Sequence, residues 1–138
     1  MTSIATNFDL TEEQEMIRET VERFANEVVA PGARQADEES KLNEAAWEGM
    51  KEMGLTGIPF EEKWGGAGMD TLSYILAVEE ISRVCGSTGL TLAAHTSLGT
   101  HPIYAWGKEE LKEQYLPGLC AGDYMGAYGL TEPGAGSD

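Results

Sequence analysis

Eleven residues at the end of the chain, Tyr128-Gly129-Leu130-Thr131-Glu132-Pro133-Gly134-Ala135-Gly136-Ser137-Asp138, have the residue types best suited to holding a ligand. Gly134 and Gly136 permit a tight backbone path with exposed amides, and Thr131 and Ser137 add hydroxyls. Successive amides around such a turn can cradle a phosphate or the polar edge of a heterocycle. The spacing is neither a dinucleotide-binding GxGxxG nor a phosphate loop, because no lysine follows and no helix is announced. A plain surface turn after a strand accounts for the same residues, since Gly, Ser and Pro are common in turns.

Other chemistry is sparse. Glu132 has no evident partner to tune it as a catalytic base. His95 and His101 stand in no metal-ligand spacing and read as structural histidines. Ser97, His95 and Asp70 lack the nucleophile elbow that a hydrolase of this type would need. Cys85 and Cys120 form no CxxC and are too few for a disulfide scaffold, so both are expected as buried thiols. Trp47, Trp64 and Trp106 are scattered, which favours core packing over a stacking platform.

These residues need elements to position them, and the chain reads as helices. Thr11 and Gln14 fit a capping box, and Met16, Ile17, Val21, Phe24, Ala25, Val28 and Val29 make one apolar stripe, so a helix is expected over Leu10–Ala30. Val29-Ala30-Pro31-Gly32 is expected to stop it, and the polar stretch that follows through Ser40 reads equally as a further helical turn or a loop. Asn43 caps a second helix carrying Trp47, Met50 and Met53, closed by Gly54. A glycine-rich connection, residues 54–69, leads to a third helix from Asp70 or Thr71, with Leu72, Ile75, Leu76 and Ile81 as its apolar positions. Ser87 is expected to cap a fourth segment, Thr88–Leu98, whose lack of charge suits a central place. His101-Pro102 opens a short helical piece, and Lys108–Leu116 forms another, ended by Pro117-Gly118. Residues 123–130, DYMGAYGL, change to strand character. The expectation is an all-α, bundle-like domain over residues 1–122, followed by the first strand of a β-domain and its loop over residues 123–138. A strand with nothing after it to complete a sheet suggests part of a longer chain.

Composition narrows the partners. The 138 residues carry 9 Lys+Arg against 24 Asp+Glu, a net charge of -15, with sixteen of the acids in residues 1–70. Nucleic-acid backbone binding needs a cationic surface, so nucleic acid is excluded as a partner. No apolar run is long enough for a membrane span, and the first residues resemble neither a secretory signal nor a transit peptide, so a cytoplasmic location is expected. An anionic cofactor remains compatible, because backbone amides can hold phosphate without side-chain charge.

The run YGLTEPGAGSD, residues 128–138, resembles the flavin-binding signature of acyl-CoA dehydrogenases. Further stretches resemble the family in the family's order: FDLTEEQEMIRETVERFANEVVAP at 8–31, GLTGIPFEEKWGGAGMD at 54–70, EEISRVCGSTGLTLAAHTSLG at 79–99, and GKEELKEQYLPGLCAGDYMGAYGLTEPGAGSD at 107–138. The resemblance is greatest to short- and medium-chain members, including butyryl-CoA dehydrogenases. It implies an N-terminal helical domain, a middle β-domain and a C-terminal helical domain, of which this chain holds the first and the opening strand of the second. It implies FAD as cofactor, with Tyr128, Leu130 and Thr131 along the flavin ring and Gly136 and Ser137 near the pyrophosphate. Ser137 also matches a position contacting acyl-CoA. Gly129 departs from the cysteine or alanine often found there. Residues around Leu92–Leu98 are candidates for the wall of the acyl cavity. The implied reaction is α,β-dehydrogenation of an acyl-CoA, with an electron-transfer flavoprotein as acceptor and a tetramer as the assembly. The family's catalytic glutamate matches no residue here, so no catalytic residue and no metal ligand is assigned. A non-catalytic helical subunit that pairs with a separate C-terminal partner, or part of an acyl-CoA oxidase, are the alternatives.

Overall fold

Residues 9–136 are described in the computed structural model. The first helical run comprises α1 (Glu12–Phe24), a π-helical segment (Ala25–Val29) and α2 (Ala30–Glu38). The capping box is present as expected: Thr11 Oγ1 accepts the Gln14 amide, and Gln14 Oε1 accepts the Thr11 amide. The expected stop at Pro31 is absent, because the helix runs through it to Glu38. The cause lies in the π turn. A proline in a helix loses its amide and its ring presses on the carbonyl four residues back. The wider turn moves the pairing to i−5, with the Ala30 amide on the Ala25 carbonyl, so that Pro31 enters as if at a new helix start. The wide turn also changes the phase of the apolar stripe. Val29 is buried while Val28 is exposed, as is Met16.

Helix α3 (Glu44–Glu52) starts at Asn43, whose Oδ1 accepts the Ala46 amide, and Gly54 follows it at φ +69°, a left-handed turn that suits glycine. The connection from residue 55 to 69 is ordered by two short 3-10 turns, Leu55–Gly57 and Glu62–Trp64. Helix α4 (Thr71–Val84) is capped by Asp70 as expected. Its inward face is the expected one only in part: Leu76 and Ile81 are buried as expected, together with Tyr74 and Ala77, whereas Leu72 and Ile75 face out. The Tyr74 hydroxyl donates to the Ala93 carbonyl and ties this inward face to the next helical run.

The next run begins at α5 (Gly86–Ala94), with Cys85 and not the expected Ser87 at its N-cap, and it does not break before His101. A second π-helical segment (His95–Thr100) leads directly into α6 (His101–Trp106). Its position repeats the first solution, with a wide turn immediately upstream of a proline, here Pro102, and the His101 amide bonded to the Thr96 carbonyl five residues back. The run is central on one side only, with Leu92 buried and Leu90 exposed. Helix α7 (Glu109–Cys120) likewise passes through Pro117, which was expected to end it. Burial of Leu116, Leu119 and Cys120 outweighs the propensity cost of about 3 kcal/mol for an interior proline.

The main core joins α1, α3, α4 and α5 through Val21, Phe24, Trp47, Met50, Tyr74, Ile81 and Leu92. A second cluster of Phe60, Trp64, Leu116 and Cys120 ties the long connection to α7. Cys120 is the buried free thiol expected, pushed up to about 11 by burial, whereas Cys85 is only half-buried. Trp47 and Trp64 are core residues, but Trp106 is 78% exposed and belongs to no core. The fold is helical, and the strand expected over residues 123–130 does not form, because the described residues offer it no second strand to pair with. That segment is irregular in backbone and ends in a turn bridged between Glu132 and Ala135. No helix among the described residues is long and apolar enough to cross a membrane.

Candidate functional site

Helix α7 delivers the chain to the site. Gly122, at φ +74°, reverses its direction, and the amides of Asp123 and Tyr124 then bond to the Gly118 carbonyl at 2.9 and 3.2 Å. The Tyr124 ring lies over Gly118, where a built Cβ would come within 2.4 Å of it. From there the chain crosses the second π-helical segment. Gly126 passes so close to Gly99 that a Cβ at Gly99 would lie 2.5 Å from the Gly126 Cα. Glycine is needed on the helix side of this crossing, and its need is steric.

His95 lies beneath the crossing with no exposed surface. Its Nε2 is 3.1 Å from the Leu119 carbonyl, and its Nδ1 accepts the Gly126 amide at 2.9 Å. The Trp47 ring meets it edge-on, 5.4 Å between centroids. Burial pulls the imidazole pKa below the ordinary histidine value, partly offset by backbone bonds to Leu119 and Thr56. The structural reading of this histidine holds. His101 instead packs at the surface beside Tyr104 and Trp106.

Beyond Gly126 the sequence-predicted residues lie on one open stretch. Tyr128 is 58% exposed and Leu130 66%, and Thr131 and Gly136 are exposed as well. Ser137 lies outside the described residues. Among the described residues, the amides of 127–131 have no backbone partner, and the next backbone pairing is the reciprocal one between Glu132 and Ala135 at 2.8 and 3.2 Å. A Cβ at Gly129 or Gly134 would meet nothing within 4 Å. The stretch therefore offers free amide and carbonyl edges, two exposed apolar side chains and an open glycine turn. A planar heterocycle with a hydrogen-bonding rim and an attached phosphate requires these surfaces of one wall of its site. The residues fit such a group.

Next to this stretch is an open hollow of about 260 Å³, lined by Gly99, Ile103, Tyr115, Leu119, Tyr124, Gly126 and Ala127. Its lining is mostly apolar and suits an aliphatic or aromatic portion of a ligand. Leu92, one end of the range expected to border a cavity, is sunk in the core, and Leu98 is 49% exposed. The sequence reading did not find Ile103, Tyr115 and Tyr124, which reach the hollow from three separate elements. Glu132 is exposed in the turn, and its carboxylate has no partner among the described residues. No group of three His, Cys, Asp or Glu side chains is placed to hold a metal among the described residues.

Residues 11–123 match the family described as acyl-CoA dehydrogenase, N-terminal domain. The chain is 50% identical to a short-chain specific acyl-CoA dehydrogenase of Clostridium acetobutylicum over 132 residues, 96% of this chain and 35% of that protein. Among solved structures it superposes on the butyryl-CoA dehydrogenase of Megasphaera elsdenii with a TM-score of 0.86 at 38% identity, covering 95% of this chain and 35% of that one. An acyl-CoA dehydrogenase from Bacillus anthracis complexed with FAD matches with a TM-score of 0.86 at 37% identity, covering 96% of this chain and 23% of that one. The chain spans about a third of the length of the curated relatives it matches.

Proposed function

Since the chain belongs to the acyl-CoA dehydrogenase family, through the family's N-terminal domain, we propose that it forms one wall of the flavin site of an enzyme that introduces an α,β double bond into a short- or medium-chain acyl-CoA. The observation that carries this reading is the open stretch from Tyr128 to Gly136, with free backbone edges over residues 128–131 and exposed apolar side chains beside the hollow. FAD bound there supplies a two-electron acceptor for the dehydrogenation.

This chain's own residues bind and orient. Tyr128 and Leu130 lie along the flavin ring and exclude water from one side of it. Thr131 offers its hydroxyl and backbone to the ring edge. Gly136 and Ser137 approach the pyrophosphate, where amides can serve because no cation is supplied by residues 123–138. Ser137 also contacts the acyl-CoA. The apolar hollow takes the part of the substrate that must lie next to the flavin. No glutamate of this chain is assigned the α-proton, and Glu132 lies in an exposed turn. An electron-transfer flavoprotein would serve as the electron acceptor of the complete enzyme, and that enzyme would assemble as a homotetramer. Residues 1–122 constitute the helical domain and 123–138 the start of the β-domain.

The test is titration of the 138-residue chain with FAD, followed by amide chemical shifts. Shifts concentrated at Tyr128, Leu130, Thr131 and Gly136 are expected, with weak affinity because only one wall is present. No change at these amides with FAD in large excess would overturn the reading. Acyl-CoA-dependent dye reduction by these 138 residues alone is expected to be absent, and its presence would refute the assignment of no catalytic base.

A further inference from the structure

We propose that His95 is a positioning residue for the flavin-facing stretch, fixing through its Nδ1 where residues 126–131 cross the helical wall. The inference rests on the proposed function for what that stretch faces, whereas the lock itself rests on geometry. His95 is fully buried, and backbone groups engage both of its ring nitrogens: Leu119 at the end of α7 and Gly126 beyond the reversal. These partners assign the tautomer. An amide N–H can only donate, so Nδ1 must present its lone pair to Gly126, and the ring proton sits on Nε2 and is donated to the Leu119 carbonyl. One rigid ring thus spans the chain on both sides of the turn at Gly122. The Trp47 edge contact keeps the ring from rotating away.

A second constraint acts at the same point. The His95 carbonyl, which also accepts the Thr100 hydroxyl at 2.9 Å, would lie 3.1 Å from a Cβ at Gly126, and the Gly99 backbone closes on Gly126 from beside it. The close approach sets how near the stretch lies to the helix, and the imidazole bond sets its register along it. The π-helical turn from His95 to Thr100 contains both His95 and Gly99, and wide turns of this kind frequently mark functional sites in helices. Tyr128 lies only two residues downstream of Gly126, so a slip at Gly126 is transmitted directly to the residues proposed to touch the flavin.

The ring's two contacts can be removed separately. In His95→Asn the side-chain oxygen takes the place of Nδ1 and can still accept from Gly126, while the donor to Leu119 is lost. In His95→Gln the amide nitrogen can reach the Nε2 position and keep Leu119, while the acceptor for Gly126 is lost. Hydrogen exchange at the Gly126 amide should accelerate on the order of tenfold in His95→Gln and change little in His95→Asn, whatever their order of global stability in urea. A role in stability alone would make exchange follow global stability in both variants, and that result, or unchanged exchange in His95→Gln, would overturn the proposal. Should either variant fail to fold, the wild-type chain decides. A scalar coupling across the hydrogen bond between His95 Nδ1 and the Gly126 amide, with the ring proton on Nε2, supports the lock, and a protonated Nδ1 refutes it. In the FAD titration, His95→Gln should weaken or displace the shifts at Tyr128 and Thr131, and His95→Asn should retain them. If the wild-type chain shows no FAD-induced shifts, the flavin reading fails, and exchange at Gly126 still decides the lock.

Discussion

At the scale of single residues, the buried polar groups around the crossing have distinct energetic consequences. Burial depresses the His95 pKa. Above the ordinary histidine value of about 6.5, folded and unfolded chains both hold a neutral ring, and stability is fully present. As pH falls below that value, the unfolded chain takes up a proton that the folded chain refuses. Stability therefore declines from about pH 6.5 downward, until the lower folded pKa is passed. Urea midpoints measured between neutral pH and about 5.5 should fall in the wild type, and less in His95→Asn, which has no titrating ring. An equal fall in both would show that the His95 ring takes up its proton in the folded chain as readily as in the unfolded one, against the depression by burial. Its neighbour Thr96 gives the opposite case. The Thr96 hydroxyl is buried with no hydrogen-bond partner among the described residues. Valine has the same shape without the hydroxyl, so Thr96→Val should stabilise the chain by about 0.5–1 kcal/mol in urea denaturation. Destabilisation would mean that the hydroxyl has a partner in solution.

At the scale of elements, α1 and α4 are coupled through their caps. Asp70 Oδ1 accepts the Ser73 amide at 2.7 Å, and its Oδ2 accepts from Gln14 Nε2 at 2.7 Å, while Gln14 closes the capping box of α1. Asp70→Asn should keep the cap on α4 and lose the link to Gln14, whereas Asp70→Ala should lose both and cost about 1–2 kcal/mol. Thermal denaturation of the pair checks this, and equal losses would show that the link to α1, and not the cap, dominates. The Asp70 pKa is lowered, first by the Ser73 amide. Its contribution is therefore present above the unfolded carboxylate value and disappears as pH falls through the lower folded one, a window well below that of His95. These caps were legible in the sequence because cap and helix lie within four residues of each other: Thr11 with Gln14, Asn43 with Ala46, Asp70 with Ser73. The prolines were not. Pro31 and Pro102 each follow a π turn that local pattern does not announce, and α7 continues through the exposed Pro117 because Leu116 and Cys120 on either side of it pack against the distant Phe60 and Trp64. The site divides in the same way. Its exposed tip, Tyr128 to Gly136, shows in residue types alone. Its anchor does not, because His95 is 24 residues from Leu119 and 31 from Gly126, and neither partner contributes a side chain that a pattern could mark.

At the scale of the whole molecule, two opposing surface properties set the behaviour of the chain in solution. Its net charge is -15, which repels copies of itself at neutral pH. Against this stand large exposed apolar side chains around the hollow and the stretch beyond it: Leu98, Tyr115, Tyr124, Met125, Tyr128 and Leu130. Apolar side chains grouped in this way mark a surface suited to being covered. Repulsion between net charges acts over the Debye length, which shrinks from about 30 Å at 0.01 M salt to about 8 Å at physiological ionic strength, whereas apolar contact does not weaken with salt. The chain is therefore expected to sediment as a monomer in low salt and to self-associate as salt is raised. Lowering pH toward the isoelectric point of about 4.3 should act in the same direction. Replacing Tyr128 and Leu130 together with serine should suppress the association without changing the helical circular dichroism, since neither side chain is part of a core. Association that weakens with salt would place the contact on charged surfaces. Persistence of full association in the double variant would place the contact elsewhere on the molecule, for instance at the exposed Trp106.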